Sequence, residues 1–324
     1  MQTLLVGATG LLGPTICERL LADGHRVRAV VRPTADAAKR DALAALGVEL
    51  VEGDLKDSDS MTRACTGAQA VVSTASATLS RQAGDSIEAV DRDGQLGLVE
   101  AARRAHVEHF VFVSFRENPQ IQFPLTVAKR RVEQALMSSG MAYTILQASY
   151  FMEVWLTPAL GFDVAHGTAR IYGDGTRPIS WVSFRDVAKV AAAAVTERAA
   201  RNQVVELGGP EALSPREVVR MFEAAGAGEI ATESVPEAAV ARRFAPFTLH
   251  CFSQPLDAPT RAAHGLTRCY IASVKPDYPV KPVFDPFAQR ARDEGWSYHE
   301  LPTGHDAQAE MPDALAALLV AAST

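Results

Sequence analysis

The stretch Gly7-Ala8-Thr9-Gly10-Leu11-Leu12-Gly13, GATGLLG, decides the fold. It follows the short apolar run TLLV and opens an apolar-periodic segment through Ile16, Leu20 and Leu21 that stops at Gly24, so it reads as a strand, a glycine turn and a helix. Each glycine is then required for a physical reason. Gly7 allows the tight turn, Gly10 lets the backbone approach a pyrophosphate closely, and Gly13 lets the helix pack near the sheet. Thr9 and Leu12 stand on the same turn, where amides at a helix start face an anion. The alternative is an ordinary glycine-rich turn, and the surroundings of the motif argue against it.

Downstream, the apolar runs RVRAVV, VELV, AVVST and HFVFVS alternate with helical stretches long enough to cross over, the pattern of a parallel βαβ sheet. The second strand chooses the dinucleotide. Where an NAD site places Asp or Glu for the ribose 2′-hydroxyl, this strand ends in Val31 and Arg32, a basic side chain suited to a 2′-phosphate, so NADP(H) is expected. A solvated surface role is the bland alternative for Arg32. After the third strand, Asp54 and Leu55 of VEGDL are expected at the adenine, the carboxylate accepting from its amino group and Leu55 covering the ring, unless they are a plain strand-ending turn. Thr74 and Ala75, after the fourth strand, supply small side chains where the adenosine and pyrophosphate pass.

These features, with VFVS, AKRRVEQALMSSGMAYTILQASYFMEVW and LGGPEALSPREVVRMFEAAG, resemble the NmrA-like group of atypical short-chain dehydrogenase/reductases. The resemblance implies a Rossmann-like parallel sheet flanked by helices, with a small substrate lobe built from segments after Tyr150 and after Gly208. SPRE, Ser214 to Glu217, also reads by itself as a capping box. Reductases of the wider superfamily use a Tyr-x-x-x-Lys pair. Here the aligned lysine is Lys129 and the tyrosine position holds Leu125, so the usual phenol is missing. The resemblance assigns Lys129 to the nicotinamide ribose or to proton supply, against an exposed helix lysine; Ser114 stands where a hydroxyl near the nicotinamide is common, or is a strand-end hydrogen bonder. Ser149, Tyr150 and Phe151 are expected at the nicotinamide pocket, with Tyr150 a candidate replacement phenol. An aromatic wall of Phe115, Tyr150, Phe151 and Trp155 suits a flat conjugated acceptor, which needs less acid help because delocalisation already stabilises the developing charge.

Composition narrows the rest. A net charge of -6 with scattered Lys and Arg argues against nucleic acid as a partner. No apolar run reaches the ~18 residues that span a bilayer, and MQTLLVGATG enters a strand directly, so the expectation is a cytoplasmic protein with no membrane association. Cys17, Cys65, Cys251 and Cys269 are dispersed, which signals buried thiols rather than a metal or redox site.

From about residue 246 the pattern changes. FTLHCFSQPL, TRCYIAS and GWSYHELPTGHDAQAEMPDALAALLVAA resemble the C-terminal end of an α/β-hydrolase esterase, whose histidine loop aligns with His305. A Ser-His-acid triad needs a serine on a G-x-S-x-G elbow, and the chain has none. The expected organisation is therefore α/β: residues 1–245 as the NADP(H)-binding Rossmann domain with its lobe, and residues 246–324 as a hydrolase-tail-like segment packing on that domain or on another subunit of a homo-oligomer. The expected function is NADPH-dependent reduction of a small quinone or aromatic ketone. A non-catalytic NADP(H)-binding redox sensor is the alternative, and an ester hydrolase is less favoured.

Overall fold

The computed structural model describes residues 1–78, 80, 82–116, 123–236, 269–274, 288–303, 311, 314, 315, 317 and 318. The chain divides into two compact units, Met1–Phe244 and Ala245–Thr324.

In the first unit the apolar runs and crossovers take the expected forms. β1 (Gln2–Val6) leads through the glycine turn into α1 (Gly13–Ala22); β2 (Arg26–Val31), α2 (Ala37–Ala45), β3 (Glu49–Glu52) and α3 (Ser58–Cys65) follow, then β4 (Ala70–Ser73). A π-helical stretch, Ile87–Gly94, runs straight into α4 (Gln95–Arg104), before β5 (His109–Phe115), α5 (Pro124–Met137) and β6 (Ala142–Ala148). Next come α6 (Met152–Trp155), β7 (Phe162–Asp163), β8 (Thr168–Tyr172), α7 (Phe184–Ala194), β9 (Gln203–Leu207), α8 (Pro215–Phe222) and β10 (Ala231–Val235).

Among the described residues β1 to β6 and β9 form one parallel sheet in the order β3-β2-β1-β4-β5-β6-β9. Alternation on β1 sends Leu5 to one face and Leu4 and Val6 to the other, and each face is covered by a buried apolar cluster. Helix starts are set locally: Asp36, Asp57 and Ser183 each accept a backbone N–H of the helix they open. The strand order reverses between β1 and β4, and in such sheets ligands bind beyond the carboxyl ends of the strands at that point.

The lobe is a second sheet, β10-β8-β7, packed with α8 around Phe162, Ile171, Trp181, Val218 and Ile230. Its α8 opens with the capping box read from SPRE: Ser214 Oγ accepts from Glu217 N while Glu217 accepts from Ser214 N at 2.8 Å. The strand β9 was not legible in the sequence, because QVVEL is short and lies at the sheet edge with Val204 exposed.

In the second unit, β11 (Cys269–Ser273) pairs in parallel with β12 (Ser297–Leu301). His305 lies outside the described residues. Among the described residues Cys17 and Cys65 are free and buried, and burial pushes both thiols up to about 12. No described helix is long and apolar enough to cross a membrane.

Candidate active site

The glycine turn is built on two close approaches. Gly7 has φ +98°, and a Cβ there would lie 2.5 Å from Thr74 Oγ1 and 2.8 Å from Ala75 N. A Cβ on Gly13 would lie 2.2 Å from the Ala8 carbonyl oxygen, so this glycine lets α1 start tight against the turn. Gly10 is exposed, its N–H bonded to Gly7 O at 3.0 Å, and Leu12 packs into the core below. Thr9 offers its carbonyl to Lys39 Nζ at 3.1 Å. Thr74 N is bound to Val6 O at 2.9 Å, so the ends of β1 and β4 are held side by side. Ala75 O accepts from Gln95 Nε2 at 2.9 Å. Thr74 Oγ1 donates to Gly7 O at 3.4 Å, so glycine backbone and a small hydroxyl meet at the switch point, a lining that fits a dinucleotide.

Arg32, just past β2, reaches Asp85 in the loop before the π-helical stretch, with Nη1 to Oδ2 at 2.7 Å. Lys56 Nζ takes the other carboxylate oxygen, and Ser80 Oγ also donates to Oδ2. The Asp85 side chain is only 3% exposed. Burial alone raises its carboxyl, but hydrogen bonds from Lys56, Ser80 and Arg32 outweigh it and bring the group down to about 2. Asp54 lies at the edge of this cluster, 3.7 Å from Lys56 Nζ, with its Oδ1 accepting from Lys56 N. Leu55 is buried and clusters with Met61 and Val90.

The end of β5 gathers the candidate chemistry. Lys129 is not on the exposed side of α5: it is 5% exposed, with Nζ 3.4 Å from Asp91 Oδ1, 3.4 Å from Val113 O and 4.9 Å from the Phe112 ring centroid. Burial lowers its ammonium group and the Asp91 charge opposes that. Asp91, on the π-helical stretch, is wholly buried and accepts from Ala77 N at 2.9 Å. Sequence reasoning missed Asp91, because only the fold brings VDRDG against α5. Ser114 accepts from Arg130 Nη2 at 3.3 Å, and Arg130 also donates to Phe115 O. That basic side chain is in turn held by Glu133 at 2.9 Å.

Beyond β5 and β6 stands an aromatic group. Tyr150 meets Phe115, Trp155 and Trp181 edge-on, with ring centroids 5.5, 5.1 and 6.2 Å apart. Burial raises its phenol above the ordinary tyrosine value. Ser149 is buried with its N–H on Leu207 O at 2.8 Å, and Phe151 packs on the core while bridging to Val182. The fold thus brings Lys129, Ser114 and Tyr150 around one strand end, through Val113, Ser114 and Phe115, and holds the glycine turn with Thr74 and Ala75 at the switch point. Arg32 and Asp54 belong to a separate charged cluster beyond β2 and β3.

A doubly wound sheet with a glycine turn at its switch point defines the class, a Rossmann-like α/β protein. Within it, residues 2–252 match the model of the NmrA-like family, and the chain belongs to that family. A photosystem II assembly factor, Ycf39 of Trieres chinensis, is 29% identical over 224 residues, covering 69% of this chain and 68% of that protein. The NAD(P)H azoreductase of Xenophilus azovorans is 30% identical over 225 residues, covering 68% of this chain and 73% of that enzyme. Among solved structures, an NADPH-dependent quinone oxidoreductase of Escherichia coli has a TM-score of 0.61 at 23% identity, over 76% of this chain and 82% of that one.

Proposed function

We propose that this chain is an NADPH-dependent reductase of a small conjugated or aromatic acceptor, of quinone or aromatic ketone type. The observation that carries the reading is the aromatic group of Phe115, Tyr150 and Trp155 beyond β5 and β6, at the strand end whose Val113 carbonyl the buried Lys129 reaches. By their names the azoreductase acts on azo compounds and the quinone oxidoreductase on quinones. The glycine turn, Thr74 and Ala75 hold the pyrophosphate side of the cofactor, and Arg32 its 2′-phosphate. When bound, NADPH supplies a hydride. The chain's own part is positioning and proton supply: the aromatic rings stack the acceptor and exclude water, while Tyr150 supplies the phenol that is missing at Leu125. Lys129 with Asp91 anchors the ribose side, and Ser114 with Arg130 supplies donors at the strand end. NADPH oxidation, followed by the loss of reduced-nicotinamide absorbance with a panel of quinones and aromatic ketones, tests this. Turnover with several flat acceptors is the expected result, and no turnover with any sinks it.

A second reading is a dinucleotide-binding assembly or sensor protein without turnover. It is favoured by the closed Lys129–Asp91 pair and by likeness to Ycf39. NADPH binding without oxidation by any acceptor is its signature.

A further inference from the structure

Two cations from different elements and a hydroxyl converge on a single buried carboxylate. Arg32 and Ser80 donate to Asp85 Oδ2, and Lys56 donates to Oδ1. A carboxylate buried this far must have its oxygens satisfied, and these donors do that. The same two cations and hydroxyl also match a phosphate, which offers three acceptor oxygens and about two negative charges where a carboxylate offers two oxygens and one. The position agrees. Arg32 immediately follows β2 and Lys56 follows β3, the neighbouring strand, so both side chains rise from the carboxyl edge of the sheet on the side of the switch point where an adenosine ribose lies. A second loop contact ties the segment bearing Asp85 to that edge, Thr34 Oγ1 donating to Gln82 at 2.8 Å.

We infer that Arg32, Lys56 and Ser80 together form the receptor for the adenosine 2′-phosphate, and that Asp85 occupies this receptor in its place until the phosphate displaces it. This rests on the NADPH reading above and extends it by two phosphate ligands, Lys56 and Ser80, and by an internal competitor. The competitor has a use. Without a ligand, Arg32 and Lys56 repel each other, and Asp85 neutralises them; a dinucleotide lacking the phosphate cannot take over that duty and leaves Asp85 where it is. Selectivity then comes from an exchange of anions on one set of donors, in which only the 2′-phosphorylated cofactor participates.

Equilibrium binding of NADPH, NADH and 2′,5′-ADP to the full chain tests the inference, with Lys56→Ala, Ser80→Ala and Asp85→Asn compared with the unaltered protein. Lys56→Ala is expected to weaken NADPH and 2′,5′-ADP about tenfold, and Ser80→Ala about threefold, with NADH held within a factor of two. Asp85→Asn is expected to tighten NADPH and 2′,5′-ADP at least threefold with no change for NADH, while Glu88→Gln, which removes a nearby acid outside the receptor, leaves all three within a factor of two. Unchanged NADH affinity and circular dichroism certify folding of each variant. Parallel weakening of NADH and NADPH in Lys56→Ala, or no tightening in Asp85→Asn, overturns the inference. If the unaltered protein prefers NADPH and Arg32→Ala removes that preference while Lys56 and Asp85 variants do nothing, the NADPH reading stands and only the inference falls; if the unaltered protein shows no preference for NADPH, both fall.

Discussion

At the scale of residues, the energetics are set by buried charge. Lys129 and Asp91 are each at most 5% exposed, and removing one member of such a pair strands the other in a poor solvent. Lys129→Met is therefore expected to destabilise the fold by about 3–5 kcal/mol, whereas the Lys129→Met, Asp91→Asn double variant recovers most of that loss. Chemical denaturation of the unaltered protein, the two single variants and the double variant checks it; additive losses would mean that the two groups do not interact. Turnover of the folded double variant is expected to drop roughly 100-fold, the scale of losing a group that positions the reactants. Asp85 gives a pH signature. Its folded value, about 2, lies below the ordinary carboxylate value of 3.8, so its contribution is fully present above 3.8 and lost as pH falls through 2. Unfolding free energy of the unliganded protein should fall over that acid window, and Asp85→Asn should flatten the fall by about 2 kcal/mol. Identical slopes for the two proteins would detach Asp85 from the Arg32 and Lys56 cations.

At the scale of elements, the glycines separate conformational need from mere presence. The Gly13 Cβ position lies 2.2 Å from the Ala8 carbonyl oxygen, a backbone atom that cannot swing aside, so Gly13→Ala should cost about 3 kcal/mol or more and weaken dinucleotide binding as α1 shifts. Gly97, inside α4, meets nothing within 4 Å, and Gly97→Ala should stabilise the protein by about 0.5–1 kcal/mol through helix propensity and reduced freedom of the unfolded chain. Thermal melts of both variants check the opposite signs. The same contrast explains how much could be read from the sequence. The glycine turn, the strands through β5 and the cap at Ser214 are local patterns, in which neighbours along the chain carry the whole signal. The partners of Lys129 and Arg32 are not local. Asp91 lies 38 positions before Lys129 and Asp85 lies 53 after Arg32, so nothing in either neighbourhood announces the pairing. The neighbours of Leu55 likewise lie outside its own motif: Met61 of α3 and Val90 of the π-helical stretch pack with it, contacts that VEGDL does not announce.

At the scale of the whole molecule, the two units differ in what they bring to their own stability. Met1–Phe244 contains a seven-stranded parallel sheet with an apolar cluster on each face and a third cluster in the lobe, all drawn from its own residues. A core of that extent supports an independent fold. Among its described residues Ala245–Thr324 has one pair of parallel strands, Cys269–Ser273 with Ser297–Leu301, and a two-stranded sheet is marginal in water. Residues 1–244 expressed alone are therefore expected to unfold in one cooperative transition and to bind NADPH within about threefold of the full chain, or about 0.6 kcal/mol. Residues 245–324 alone are expected to show no cooperative transition, because the described β11–β12 pair by itself returns too little to order the segment. Differential scanning calorimetry and NADPH titration of the two fragments and the full chain provide the check. A cooperative melt from the C-terminal fragment would establish it as a domain that folds unaided, and loss of NADPH binding in residues 1–244 would overturn the proposed placement of the dinucleotide at the carboxyl edge of the large sheet.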